Sequence, residues 1–125
     1  MRILIAEDNP INQQLAMIVL TKMGYEPELA ENGQEAVEKQ QQDKYDIILM
    51  DVQMPEMDGM QAARVIRSEQ KVQPVIIAMT ANAMQEDKEE CLQAGMNDYL
   101  SKPINLDELL LVLKKWAAHV LKTAC

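Results

Sequence analysis

Three carboxylates, a hydroxyl and an ammonium group stand at intervals that one edge of a sheet can collect. Glu7 and Asp8 follow the apolar run Ile-Leu-Ile-Ala, Asp51 follows Ile-Ile-Leu-Met, Thr80 follows Val-Ile-Ile-Ala-Met, and Lys102 follows Asp-Tyr-Leu-Ser. A short apolar run bounded by polar or turn residues reads as a strand buried on both faces, and open parallel sheets keep their ligand sites beyond the carboxyl ends of such strands. Carboxylates crowded together repel one another unless a cation lies among them, and hard oxygen donors suit Mg²⁺ or Mn²⁺. A carboxylate is also a nucleophile able to form an acyl phosphate. A metal would then neutralise the entering phosphoryl oxygens, while Lys102 and the Thr80 hydroxyl bind the others. Asp51 is therefore the candidate nucleophile, with Glu7 and Asp8 as candidate metal ligands. Taken singly these residues have bland readings: a loop cap for Asp51, a strand terminus for Thr80, a surface charge for Lys102. Their recurrence at successive strand ends is what points to phosphoryl transfer.

The elements that must position these groups follow from pattern. Arg2 to Ala6 reads as a first strand. Asn9-Pro10 opens a helix, with Asn suited to the cap and Pro to the first turn. Ile11, Leu15, Ile18, Val19 and Lys22-Met23 follow the helical period until Gly24 closes it. Glu26 to Ala30 is a second strand, and Asn32-Gly33 turns into a helix with Ala36 and Val37 inward. After the Asp51 strand, Pro55 and Asp58-Gly59 break the chain before a helix carrying Met60, Ala63, Val65 and Ile66, with Arg64 and Arg67 placed outward. Val75 to Met79 is the fourth strand. The segment from Ala83 to Ala94 has helix formers but a thin apolar face, so packing holds it weakly and it is the element expected to move. Asp98 to Ser101 is a short fifth strand. A last helix begins at Asn105, which with Glu108 resembles a capping box; Leu106, Leu109, Leu110, Leu113 and Trp116-Ala117 form its inner face. Strands alternating with helices predict an α/β fold: a doubly wound, five-stranded parallel sheet in the order 2-1-3-4-5 with helices on both faces, flavodoxin-like.

The 125 residues, nearly half of them apolar, fit a single domain spanning 1–125. No apolar stretch is long enough to span a bilayer and no signal region opens the chain, which implies a cytoplasmic protein. Cys91 and Cys125 form neither a metal-spaced pair nor a disulfide framework. A net charge of -8 repels phosphate backbones, which argues against direct nucleic-acid binding. His119, the one histidine, reads as a partly exposed helix residue.

Four segments carry a resemblance: Ala-Glu-Asp-Asn at 6–9, Met-Asp-Val-Gln-Met-Pro-Glu-Met-Asp-Gly at 50–59, Ala-Met-Thr-Ala-Asn-Ala at 78–83 and Asp-Tyr-Leu-Ser-Lys-Pro at 98–103. Together they resemble the receiver domain of two-component response regulators, and most of all the receivers of hybrid histidine kinases. The resemblance implies that Asp51 accepts phosphate from the phosphohistidine of a histidine kinase or histidine phosphotransfer domain. It implies that Mg²⁺ is held by Glu7, Asp8, Asp51 and the backbone carbonyl of Gln53. Thr80 and Tyr99 would be the switch pair, and the Lys102-Pro103 peptide would be cis. The implied protein is a monomer, with phosphorylation-dependent dimerisation as a further state. It is no enzyme in the ordinary sense, although it catalyses its own phosphorylation and dephosphorylation. A partner helix would dock on an apolar patch of Ile11, Asn12, Leu15, Pro103 and Ile104.

Three other readings compete. An Asp-nucleophile phosphatase of the haloacid-dehalogenase kind needs a second Asp two residues on, where this chain has Gln53. A flavin carrier of the same topology needs a Gly, Ser or Thr cradle after the first strand, where this chain has Glu-Asp-Asn-Pro. A phosphate-independent interaction module would keep the fold and lose the chemistry, against which stand Asp51, Thr80 and Lys102.

Overall fold

The computed structural model describes residues 2–52, 54, 57–69, 73–80, 85–101 and 106–123, and of residues 85–88, 106 and 120–123 the backbone alone. Strands and helices alternate: β1 (Ile3–Ala6), α1 (Pro10–Lys22), β2 (Glu28–Ala30), α2 (Gly33–Asp43), β3 (Ile47–Asp51), α3 (Gly59–Glu69), β4 (Val75–Thr80), α4 (Gln85–Gln93), β5 (Asp98–Ser101) and α5 (Leu106–Thr123). The strands form one parallel sheet in the order β2-β1-β3-β4-β5, as the alternation predicts. β2 starts two residues later than expected, because Pro27 has no N–H to give a ladder.

The pleat sorts the core into two layers. Leu4, Ala6, Ile48, Met50, Ile76 and Ala78 pack with Ala36, Val37, Ala62, Ala63 and Ile66 of α2 and α3 on one face. Ile3, Ile5, Ile47, Leu49, Ile77 and Met79 pack with Ala16 and Leu20 of α1 and Leu109 and Leu113 of α5 on the other. The central strands β1, β3 and β4 are buried along their whole length, which is why they read as unbroken apolar runs.

The helices bury their apolar residues unevenly, and Arg67 departs from expectation. α1 buries only Ala16 and Leu20, while Ile11, Leu15 and Ile18 lie exposed on its outer side. Arg67, placed outward by the period of α3, is half-buried and turned toward the segment between α4 and β5. Arg64 is exposed as expected. In α5, Leu109 and Leu113 are buried, whereas Leu110, Trp116 and Ala117 are only partly so. The Asn105 cap lies outside the described residues. His119 is exposed, its ring edge-on to Trp116 with centroids 5.4 Å apart.

The far end of the sheet is tied by polar groups. Tyr45 is buried, with its hydroxyl donating to Glu28 and its ring under the Arg2 guanidinium. Burial and the Glu28 carboxylate raise its pKa well above the usual phenol range, so it stays a donor.

Candidate functional site

Register brings the acids together. Ala6 pairs with Met50, so one step beyond the ladder Glu7 stands beside Asp51. Asp51 in turn pairs with Met79, the residue before Thr80, and Thr80 pairs with Ser101, the residue before Lys102. Glu7, Asp8 and Asp51 each offer a carboxylate oxygen, and these atoms all lie within 4.8 Å of one another. Glu7 and Asp51 are 1% and 4% exposed, while Asp8 faces solvent. Thr80, at the end of β4, is 7% exposed. Three oxygen donors at this spacing fit a hard divalent cation, and two of them are too buried for water alone to screen their repulsion.

The first helix serves the site through its start. Asn9 caps α1, its Oδ1 accepting from the N–H groups of Ile11 at 2.9 Å and Asn12 at 3.3 Å, with Pro10 in the first turn. The same turn fixes Glu7: its Oε1 accepts from Asn9 N at 3.2 Å and Asn12 Nδ2 at 3.4 Å, and Gln13 Nε2 donates to its carbonyl at 2.6 Å. Asn12, expected in the apolar docking patch, therefore turns its amide toward the acid cluster. Ile11, two residues beyond the Asn9 cap, is 76% exposed, and Leu15, one turn on, is 39% exposed.

The loop after Asp51 is held by backbone. Val52 N donates to Met79 O at 3.0 Å, Gly59 N to Val52 O at 3.0 Å and Gly33 N to Met57 O at 3.0 Å. At Gly59 a Cβ would collide with the Asp51 carbonyl and approach Met50 Cγ at 2.9 Å; at Gly33 one would collide with the Met57 carbonyl. Both glycines are there because another backbone passes too close for a side chain. Asp58 then opens α3 with a reciprocal cap, its Oδ1 accepting from Gln61 N at 2.8 Å and its N–H donating to Gln61 Oε1 at 3.2 Å. The residue types give no sign of the supporting roles of Asn12, Gln13, Gly33 and Gly59; only the turn signals at Asn32-Gly33 and Asp58-Gly59 hint at them.

Tyr99 lies mid-strand in β5, paired with Ala78, partly buried and packed against the α2/α3 layer. Gln53, Lys102, Pro103 and Ile104, and with them the expected cis peptide, lie outside the described residues.

A doubly wound parallel sheet with an acid cluster and a threonine at adjoining strand ends defines a phosphoacceptor class of α/β domain. Residues 3–114 match the family model of the response regulator receiver domain, and the chain belongs to that family. Sensor protein GacS of Pseudomonas syringae pv. syringae is 44% identical over 97% of this chain, and hybrid signal transduction histidine kinase H of Dictyostelium discoideum is 44% identical over 92%. The chain spans 14% and 9% of the length of those relatives. Among solved structures, it resembles the receiver domain of sensor histidine kinase PA1611 from Pseudomonas aeruginosa PAO1, which has a magnesium ion coordinated in its active site cleft. That likeness has a TM-score of 0.85 and 46% identity, and covers 92% of this chain and 95% of the other. It also resembles a chain of the Saccharomyces cerevisiae complex between the phosphotransfer protein Ypd1 and the receiver domain of Ssk1, with a TM-score of 0.85 and 38% identity over 93% of this chain and 88% of that one.

Proposed function

We propose that Asp51 accepts a phosphoryl group from a phosphohistidine and that the charge it brings resets the β4–α4–β5 side of the domain. The observation that carries this reading is the meeting of three carboxylate oxygens within 4.8 Å around a nucleophile that is 4% exposed. An Asp51 oxygen attacks phosphorus, the P–N bond breaks with its electron pair going to the imidazole nitrogen, and an acyl phosphate forms. Glu7, Asp8, Asp51 and the Gln53 carbonyl are the residues that would hold Mg²⁺, which when bound neutralises phosphoryl oxygen charge. Lys102 and the Thr80 hydroxyl supply the remaining contacts, and burial of Asp51 limits the water able to hydrolyse the product. The same groups catalyse gain and loss of the phosphoryl group. The setting that goes with this reading is cytoplasmic signalling, with a histidine kinase or phosphotransfer domain as donor, and the likeness to hybrid kinases supports it. Among the described residues no helix is long and apolar enough to cross a membrane.

Thr80 is the sensor, with Tyr99 two strand positions away across the β4–β5 ladder. Thr80→Ala is expected to accept phosphate still, but to lose most of the response that beryllofluoride evokes. The response is read as amide chemical-shift changes in α4 and β5, and an undiminished response would remove Thr80 from the switch.

The donor docks, on this reading, on the outer side of α1. Ile11, Leu15 and Ile18 are 76%, 39% and 54% exposed at positions one turn apart, beside the site, with Pro103 and Ile104 assigned to the same patch from sequence. A helix that is apolar on its outer side suits the flank of a helical donor. Ile11→Glu is expected to slow transfer from a phosphohistidine protein at least tenfold while leaving labelling by acetyl phosphate unchanged. Equal loss in both assays would make Ile11 structural, and loss in neither would move the docking face elsewhere.

A further inference from the structure

The Arg67 guanidinium donates four hydrogen bonds, and none of its partners belongs to the acid cluster. Its Nε donates to Gly95 O at 2.7 Å, its Nη1 to Pro74 O at 2.7 Å and Gln73 Oε1 at 2.8 Å, and its Nη2 to Asn97 Oδ1 at 2.6 Å. Asn97 is itself locked to the start of β4: its Oδ1 accepts from Ile76 N at 2.9 Å and its N–H donates to Ile76 O at 2.7 Å. Gly95 has φ +101°, and a Cβ there would meet Arg67 Cγ at 2.6 Å, so the arginine stem lies directly over this residue. One side chain at the end of α3 thus ties together the exit of α4, the entry of β5 and the entry of β4. Half-burial lowers the guanidinium pKa, and three backbone or amide oxygens besides Gln73 accept hydrogen bonds from its N–H groups.

α4 returns antiparallel to β4, so its two ends face different neighbours. Its foot, where Cys91, Ala94 and Met96 are buried and Ala94, Gly95 and Met96 donate to Glu90, Leu92 and Cys91, is next to the Arg67 clamp. Its head begins at Gln85, five residues beyond Thr80, on the side of the site. Glu89, Glu90, Leu92 and Gln93 are exposed.

We propose that the Arg67 clamp makes the foot of α4 a fixed pivot at Gly95, so that the helix opens and shifts from its head. Resting on the phosphoacceptor reading, the response to a phosphoryl group at Asp51 is then confined to the head of α4 and does not carry the whole helix away. The clamp is a positioning device, and its first consequence needs no phosphate: a gradient of stability along α4, with opening easiest at the head.

Amide hydrogen exchange of the native chain, Arg67→Met and Arg67→Lys tests this, each with and without beryllofluoride and Mg²⁺. The lysine variant keeps the charge and stem but cannot bridge the separate carbonyls, and it decides the matter if the methionine variant does not fold. In the native chain, Gly95, Met96 and Asn97 should exchange at least tenfold more slowly than Glu89 and Glu90. Either variant should erase that difference, with the core strands β1 and β3 unchanged relative to global unfolding. Beryllofluoride should alter exchange at Glu89 and Glu90 of the native chain and leave 95–97 unaltered, and in the variants should reach 95–97 as well. No gradient in the native chain, or a gradient that survives in the variant that folds, would overturn the pivot. A native chain that keeps its gradient but ignores beryllofluoride would overturn the phosphoacceptor reading and the confinement of its response, with the clamp at Gly95 upheld by the gradient and its loss in the variants.

Discussion

Asp51→Asn is expected to make the domain more stable in cation-free buffer, by about 1–3 kcal/mol. Like charges about 5 Å apart repel by roughly 3 kcal/mol per pair at an effective dielectric of about 20, and Asp51 shares its corner with two other carboxylates. Glu7 is held in place, because its Oε1 accepts from the Asn9 N–H and the Asn12 amide while Gln13 fixes its backbone carbonyl. The amide removes one charge with almost no change of volume. Added Mg²⁺ should stabilise the native chain by mass action and the Asn variant far less, so the order of the two narrows or reverses with metal. Urea unfolding with EDTA and then with millimolar Mg²⁺ reads both effects. A variant less stable than the native chain in EDTA would mean that the acids are not in repulsive contact.

Gly59→Ala should cost about 3 kcal/mol or more and should slow phosphoryl capture at Asp51. The added methyl would run into the Asp51 carbonyl and Met50 Cγ, neither of which can yield: the first belongs to a strand end and the second is fully buried. Overpacking against flexible neighbours costs about 1–3 kcal/mol, and a backbone neighbour places this case at or above the top of that range. Gly24→Ala is the control. Gly24 has φ +93° but open space where a Cβ would stand, so only conformational strain of about 1 kcal/mol should appear there. Urea midpoints and labelling rates of both variants make the comparison. If Gly59→Ala unfolds with the native midpoint and labels at the native rate, the close approach does not govern the site.

The parts of this domain that can be read from sequence are those fixed by burial. β1, β3 and β4 are enclosed by helices on both faces, so they must be continuous apolar runs. The polar residue ending each run is where the chain leaves the core, and that is how Glu7, Asp51 and Thr80 are legible. Helices carry a weaker message. α1 is apolar on both sides, so its period does not reveal that Ala16 and Leu20 go in while Ile11 and Ile18 stay out. Arg67 defeats the pattern because a charge is assigned outward by default. The acceptors that draw it in, Pro74 O, Gly95 O and Asn97 Oδ1, come from segments up to thirty residues away that no local pattern connects to α3. Gly59 reads as a turn residue, and only the three-dimensional path of β3 reveals that its missing side chain makes room for the carbonyl of Asp51.

Asp51 is proposed as the phosphoacceptor, dependent on a divalent cation held by its neighbouring acids. Intact mass after incubation with acetyl phosphate, on the native chain with Mg²⁺, the native chain with EDTA and Asp51→Asn with Mg²⁺, tests it most directly. One added phosphoryl group is expected in the first sample and none in the other two. A phosphoryl group on the Asn variant, or undiminished labelling in EDTA, would contradict it.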